Sequence, residues 1–591
     1  MRASVYRRII VSDILSLNNE QAEAAAHKTG PLLLLAGPGT GKTATLTARI
    51  KFLVDSGVPE SEILAITFTQ AAAQEMLDRV ENLLGHVPGC TIGTFHRVAN
   101  VLMKMYPSGF ARLRGRRLVE DSKCLHLVKE ISTVLIRKKT GRIDRVNTDD
   151  IDELSDQILS VKDRLSGTET HHKLFDLDPL AQEGYIEYQQ QLDAIKGYDF
   201  ADLILSAVDA LGQAKIHRSV VSRWKYVLVD EYQDINPSQH EMIRRLLGRE
   251  QNLWAVGDDD QALYGWRQAD VRLLLNFATE YPGAKILYLT VNYRCPMNVL
   301  WMANKLIRNN RLRFPKVLSG VKPANTVITI HRAGTERSEA VWIARHIGHQ
   351  INDGSQPGDF AILGRTSSLL PPIARALSAE NIPCRIRGAP PFWSQGVVRT
   401  ALSLFASLLG EWPEDIAPAK SWMLERASAG LRVRGYHDVL EYVVNFLKNN
   451  PARNSKMGEA KAQWDTTLDD FLLQAKSVNS PEELVVKMRV DDDDDDSVVT
   501  LCTIHASKGL QWPHVFVCGM EEGIMPMSRS IDLEEERRIA YVALTRASSS
   551  LTITSAVERN RVDHELSRYV VEMNRMMPRN YVVDGKGQAY S

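Results

Sequence analysis

Short apolar runs punctuate this chain, with stretches of helical spacing between them. In the first half the runs are PLLLLA (31–36), ILAITF (63–68), YVLVD (226–230) and LWAVGD (253–258). ILYLT (286–290), TVITI (326–330), DFAILGR (359–365), VVTLCTI (498–504), HVFVCGM (514–520) and SLTIT (550–554) follow. An unbroken apolar run reads as a strand buried on both faces, and strands alternating with helices predict parallel sheets wrapped by helices. The runs fall into two groups, too many for one compact sheet. Two α/β cores in tandem are the expected architecture.

Two long segments lack the alternation. Residues 97–197 read as helical and charged. Within 110–147, Arg112, Arg114, Arg116, Arg117, Lys123, Lys129, Arg137, Lys138, Lys139, Arg142 and Arg145 outnumber Glu120, Asp121, Glu130 and Asp144. Such a segment suits a phosphate backbone; a solvated helical face accounts for it equally well. Residues 396–490 also read as helical, from GVVRTALSLFASLL onward. Each segment reads as an insertion into one core. The run Asp491–Asp496 repels itself and reads as an extended linker back to the second core.

Composition narrows the field. The 591 residues allow roughly four domains at about 150 residues each. Formal net charge is zero, which excludes a surface that is basic throughout but leaves room for a local basic groove. Six scattered cysteines form no CxxC pair, so a zinc ribbon or iron–sulfur cluster is not expected, and a reducing compartment is. Near the start, Arg2, Arg7 and Arg8 flank no long apolar stretch, and Asp13 interrupts what there is. No signal peptide and no membrane span are expected, and the expected location is cytoplasmic.

The chemistry begins at AGPGTGKT, Ala36 to Thr43. It follows an apolar strand and precedes ATLTARIKFLV, which has helical spacing. Strand, glycine loop, Lys-Thr and helix make a P-loop: the backbone N–H groups of Gly37, Pro38's neighbours, Gly39, Thr40 and Gly41 turn toward phosphate oxygens at a helix N-terminus. Lys42 would reach the β- and γ-phosphates, and Thr43 would hold Mg²⁺. Ala36 stands where the strict pattern has Gly. Downstream, YVLVDEYQD places Asp230 and Glu231 at the end of a strand, Asp230 for the metal and Glu231 as the base for the attacking water. VGDDDQALYGWRQA (256–269) places Gln261 to sense a γ-phosphate. It then offers Tyr264, Trp266 and Arg267 as a stacking platform for unpaired bases.

These motifs resemble those of UvrD/Rep-type superfamily 1 DNA helicases, and the resemblance runs in order from residue 17 to about 573. LNNEQAEAA (17–25) resembles the Q motif, TFTQAAAQEMLDR (67–79) motif Ia, and IGTFH (92–96) motif Ib. YDFADLI (198–204) resembles the short motif before the acidic box. LTVNYRC (289–295) resembles motif IV, 499–526 motif V, EEERRIAYVALTRA (534–547) motif VI and LSRYVVEM (566–573) the closing segment. The resemblance implies that Gln21 reads adenine and Tyr293 stacks on it. It implies that Arg294 and Arg546 reach the γ-phosphate and that Gln511 meets the ribose. Phe68, His96 and His505 join Tyr264, Trp266 and Arg267 as DNA contacts. Lys508 is either another DNA contact or a support of the cleft.

The implied fold is a P-loop NTPase with two tandem RecA-like parallel-sheet cores, each carrying a mostly helical insertion. The expected boundaries are 1–96 with 198–284 for the first core and 97–197 for its insertion. The second core takes 285–395 with 491–575, its short insertion 396–490, and a tail 576–591. The implied activity is ATP- and Mg²⁺-dependent translocation on single-stranded DNA, 3′ to 5′, coupled to unwinding of tailed duplexes in repair, replication or recombination, with proteins of those processes as partners. The rival readings are a translocase that strips proteins but unwinds weakly, and the motor subunit of a helicase–nuclease complex. Gln70-Ala71, Ala44 and Gln511 depart from the family's usual Asn-Lys, Arg and Glu. The segment Ala556–Leu566 is short for a strand-separating hairpin and holds no aromatic residue; Arg559, Arg561 and His564 are its stacking candidates.

Overall fold

The computed structural model describes residues 17–140, 147–164, 178–265, 268–324, 328–387, 396–409, 419–432 and 435–450, scattered positions within 465–484, and then 497–528, 530, 532–574 and 582–584. The chain divides into two compact units. The first takes residues 1–342, 363–365 and 507–591, and the second takes 343–362 and 366–506.

The first unit is built on a six-stranded parallel sheet of β1 (Leu32–Ala36), β2 (Ile63–Thr67), β3 (Thr91–Thr94), β4 (Tyr226–Val229), β5 (Leu253–Gly257) and β6 (Lys285–Leu289), in the order β3-β2-β4-β5-β1-β6. Its strands are apolar throughout because both faces are covered. Leu33 and Leu35 of β1 join one core with Leu64, Ile66, Val227 and Val229. Leu32, Leu34 and Ala36 join the opposite core with Ile63, Ala65 and Leu228. A charge at Leu34 would therefore have no exit to water. Parallel strands place their carboxyl ends along one edge, and β4-β5-β1 are neighbours. The loops after these three strands, with the P-loop, Asp230 and Asp258, are thereby gathered at one place.

After β6 the chain forms a parallel pair, β7 (Val291–Pro296) with β8 (Ser319–Lys322). A second parallel sheet in this unit holds Trp512–Cys518, Ala547–Arg559, Ile328–Thr335 and Val582–Asp584 in that spatial order. The second unit contains the parallel strands Cys384–Arg387 and Val499–Thr503. Its helices Gly396–Leu409, Ser421–Gly430 and Tyr436–Asn449 bury Phe405, Leu440, Val443 and Leu447 in a core of their own.

All ten expected strands form, DFAILGR as Phe360–Gly364 and SLTIT within the longer Ala547–Arg559. The described residues of 97–197 are mainly helical, with Asp121–Thr140, Thr148–Ser160 and Pro179–Ala194 packed around Val128, Ile131, Ile158 and Tyr188. The six cysteines are free. The Asp491–Asp496 run lies outside the described residues.

Candidate active site and nucleic-acid face

Two glycines give the P-loop its shape. Gly39 and Gly41 have φ of +66° and +84°, where a side chain is strained. A Cβ on Gly39 would also lie 2.6 Å from Cβ of Arg294. Helix α1 (Asn19–Ala25) brings Gln21 to the same loop through a reciprocal cap with Asn18, and Gln21 Nε2 donates to Thr40 O at 2.9 Å. Helix α2 (Lys42–Asp55) begins directly behind Gly41. Lys42 Nζ donates to Ala36 O at 3.0 Å and Gly37 O at 3.3 Å, folded back over the loop. Burial pushes this ammonium down, against the attraction of Glu231, Asp258 and Asp230.

The acidic pair sits where β4 ends. Glu231 has φ +50° and ψ +46°, an uncommon conformation for a residue with a side chain. Its N–H donates to Asp230 Oδ1 at 2.9 Å, and its carboxylate accepts from Gln233 Nε2. Burial and the neighbouring Glu231 push Asp230 up to about 7. Burial opposes ionisation of Glu231 as well, yet Lys508, Lys42 and the Gln233 amide hold it below its usual range. The two carboxyls are thus driven apart, as two carboxyls crowded into one buried site are. Asp234 Oδ1 is buried without a hydrogen-bond partner. This excess of buried negative charge fits a divalent cation. Mg²⁺ ordinarily uses only one or two protein groups plus phosphates, so Thr43 and Asp230 suffice as a donor set. No cluster of three or more His, Cys, Asp or Glu able to hold a metal exists among the described residues.

The second half of the site arrives on other elements of the same unit. Asn292 pins β7 to the P-loop: its Nδ2 donates to Pro38 O at 2.6 Å, and its Oδ1 accepts from Arg294 N and Cys295 N. Tyr293 N donates to Gly39 O, and Asn18 Nδ2 donates to the Tyr293 hydroxyl at 2.8 Å. Tyr293 and Gln21 therefore flank one mouth of the loop. Arg294 donates to Gln511 Oε1 at 2.6 Å and to Thr545 O at 3.1 Å.

Arg546 follows helix α3 (Leu533–Leu544) and is 1% exposed. It donates to Val542 O, Leu510 O, Thr545 Oγ1 and, at 3.4 Å, Gln261 Oε1. No carboxylate among the described residues lies within ion-pair distance of it. Burial and the nearby Arg294 push its guanidinium down to about 9. Gln261 also donates to Asp258 Oδ2 at 2.6 Å, so it links the third strand-end loop to Arg546.

The structure thus brings together Gln21, Ala36–Thr43, Asp230, Glu231, Gln261, Tyr293, Arg294, Gln511 and Arg546. Sequence reasoning missed Asn292, Gln233 and Asp234, although Asn292 precedes Tyr293 and the other two belong to the DEYQD string. Lys508 takes the supporting alternative. It is buried, pairs with Asp234 at 2.5 Å, donates to Gln261 O at 2.9 Å and lies 4.9 Å over the Tyr264 ring.

On the expected nucleic-acid face, Phe68 stacks on Tyr264 with ring centroids 5.3 Å apart and an interplanar angle of 13°. His96 packs edge-on against Phe200, and burial lowers its pKa. Trp266 and Arg267 lie outside the described residues, and His505 belongs to the second unit. In the helical insertion, Arg116 pairs with Asp193, Lys129 with Asp152 and Lys138 with Glu183, so part of its basic excess is neutralised internally.

The short segment after Arg546 needs one correction. It does form a hairpin: Ala547–Arg559 turns through Asn560 and Arg561, both at positive φ, into Val562–Asp563. Arg559 is not a free stacking group. It is buried between Glu521 and Glu339, and His564 Nδ1 is engaged with Glu522 O. Only Arg561, at the turn, keeps the assigned role open.

Comparison with known proteins accords with this geometry. Residues 17–282 match the UvrD/REP helicase N-terminal domain, and residues 287–411 and 448–558 match the UvrD-like helicase C-terminal domain. The chain is 28% identical to the ATP-dependent DNA helicase PcrA of Staphylococcus epidermidis, over 97% of this chain and 88% of that protein. It is 28% identical to the protein of the same name from Staphylococcus aureus, over 92% and 83%. No helix among the described residues is long and apolar enough to cross a membrane. A P-loop, a strand-end acidic pair and two arginines from separate elements, in the order and over the length these domains require, make the chain a member of the UvrD/Rep helicase family and an ATP-dependent DNA helicase.

Proposed function

We propose that the chain is a 3′-to-5′ translocase on single-stranded DNA in which Arg294 and Arg546 complete an ATP site begun by Lys42, Asp230 and Glu231. The observation that carries this reading is Arg546, a buried guanidinium that faces Gln261 with no carboxylate partner among the described residues. A γ-phosphate supplies the anion it lacks. Mg²⁺, held by Thr43 and Asp230, would neutralise charge on the phosphates. Glu231 takes the proton of the attacking water, and Gln261 and Arg294 orient the reacting group. Tyr293 and Gln21 hold the base, and Gln511 meets the ribose. Phe68, Tyr264, Trp266, Arg267, His96 and His505 contact DNA, with stacking worth about 1–3 kcal/mol per base. Loss of the γ-phosphate releases the arginines, and alternating grip of two RecA-like cores, each with its helical insertion, becomes a step along the strand. Repair, replication or recombination, with proteins of those processes, is the setting this activity serves.

The hairpin favours a motor that translocates well and unwinds poorly. Base-pair steps cost on the order of 1.4 kcal/mol each. Against this, a turn of Asn560 and Arg561 presents one guanidinium and no aromatic ring, since Arg559 is committed to carboxylates. Strand displacement on 3′-tailed and 5′-tailed duplexes, run beside single-strand translocation at equal ATP, tests both statements. Displacement only from the 3′ tail, slow on long GC-rich duplexes, is expected. Displacement from the 5′ tail overturns the polarity, and processive unwinding by the monomer overturns the second statement.

A further inference from the structure

The loop after β5 buries three successive carboxylates. Asp258, Asp259 and Asp260 are each at most 1% exposed. Carboxylates so placed need cations, and both come from the segment between helix Met297–Ile307 and β8. Lys316, 7% exposed, reaches Asp258 at 2.9 Å, Asp259 at 2.5 Å and Asp260 at 2.8 Å. Arg313 forms a bidentate pair with Asp260 at 2.9 and 2.8 Å, and Phe314 N donates to Asp259 Oδ2 at 2.8 Å. Nothing in the motif reading gave Lys316 a task.

Two hydrogen bonds give it one. Asp258 Oδ2 accepts from Gln261 Nε2, and Asp258 N donates to Gln233 Oε1 at 2.9 Å. Gln233 in turn donates to Glu231. Asp258 therefore holds the side chain that faces Arg546, and its backbone meets the amide that holds the expected base. Although burial opposes it, Asp258 stays below the usual carboxylate range, because Lys316, Lys42 and the Gln261 amide favour its charged form. A charged Asp258 is the acceptor that fixes Gln261.

We propose that Lys316 is a positioning residue for ATP turnover, acting through Asp258 to fix Gln261 against Arg546. It touches no substrate. This rests on the reading of Gln261 as a γ-phosphate sensor. The two cations also have different duties: Arg313 forms its bidentate pair with Asp260, whereas Lys316 also reaches Asp258, the carboxylate that accepts from the Gln261 amide.

The test is steady-state ATP hydrolysis by the full chain on saturating single-stranded DNA, beside thermal melting. Lys316→Met should lower kcat by about tenfold or more with KM for ATP nearly unchanged, the pattern of an interaction made only in the transition state. Lys316→Arg should retain most of the turnover. Lys316→Met leaves three carboxylates against one cation and will destabilise the fold. Adding Asp259→Asn restores the wild-type balance, so the double variant should regain melting temperature while kcat stays low. Recovery of kcat together with stability overturns the proposal, because Lys316 would then be structural only. A Lys316→Met that folds and turns over like wild type also overturns it. Gln261→Ala is the reference. If that variant keeps full turnover, the reading of Gln261 fails; if it loses turnover while Lys316→Met does not, the link to Lys316 fails.

Discussion

Two buried arginines thirteen positions apart belong to regions with opposite electrostatic designs. Arg559, at the root of the hairpin, lies between Glu339 and Glu521. Its carboxylates are themselves occupied: Glu521 Oε1 also accepts from Ala556 N, and Glu339 Oε1 accepts from Thr554 Oγ1 and Gly519 N. These partners raise its pKa despite burial. Arg546, in the catalytic seam, has backbone carbonyls, a hydroxyl and one amide oxygen, and burial drags it down to about 9. Both side chains are buried, Arg546 more deeply than Arg559. One is compensated within the fold; the other, in the function proposed, takes its anion from outside. The same division separates Lys162, paired with Asp199 and Asp202 at 2.8 and 2.7 Å, from Lys42, whose ammonium donates to carbonyls and makes no ion pair among the described residues. Residual electrostatic strain, rather than burial or charge, marks the residues proposed to meet substrate.

Variants that act on one region and spare the other sharpen this contrast. Glu231→Gln removes the expected base but keeps the shape of the seam. Turnover should fall about 10²–10⁴-fold while ATP binding survives. Melting temperature should hold or rise, because a carboxylate leaves a crowded acidic site. Turnover comparable to wild type removes Glu231 from the chemistry. The next effect lies on the nucleic-acid face, where Trp266→Ala should lose about 1–3 kcal/mol of single-strand affinity with weak dependence on base sequence. Basal hydrolysis should change little. Unchanged affinity, or a protein that unfolds, would mean that Trp266 serves the fold rather than the nucleic-acid face.

The smallest expected effect is a pH dependence away from the catalytic seam. Asp163 Oδ1 accepts from Asn236 Nδ2, and burial beside Asp199 pushes its pKa up to about 7. The folded state therefore binds more protons than the unfolded chain between the unfolded value of 3.8 and about 7, and stability falls as pH rises through that window. Asp163→Asn should raise the melting temperature by a few degrees at about pH 8 and by less at about pH 5. Equal gains at both values would show that Asp163 is ionised throughout.

Much of this was legible in the sequence, for a physical reason. Strands buried on both faces leave continuous apolar runs, and the groups proposed for the ATP site sit directly after them, as Ala36–Thr43 and Asp230-Glu231 do. The hydrogen-bond partners that tune these groups were not legible. Asn292, Lys316 and Glu521 act over separations that no local spacing encodes. Arg559 shows the converse error: between Ala556 and Leu566 it looks like an exposed planar cation, and only tertiary packing reveals that two distant glutamates consume it. The left-handed Glu231 was likewise invisible, since nothing in DEYQD announces a positive φ.

The central claim is that Arg546 is kept unpaired for a substrate anion while Arg559 is spent on the fold. The most direct measurement is DNA-stimulated ATP turnover per folded molecule for Arg546→Ala beside Arg559→Ala. Arg546→Ala should lose about 10³-fold or more in kcat, with melting temperature unchanged or raised. Arg559→Ala should keep its turnover per folded molecule and lose about 3–5 kcal/mol of stability, because two carboxylates are left buried. Wild-type turnover by Arg546→Ala, or a marked loss of its stability, would contradict the account.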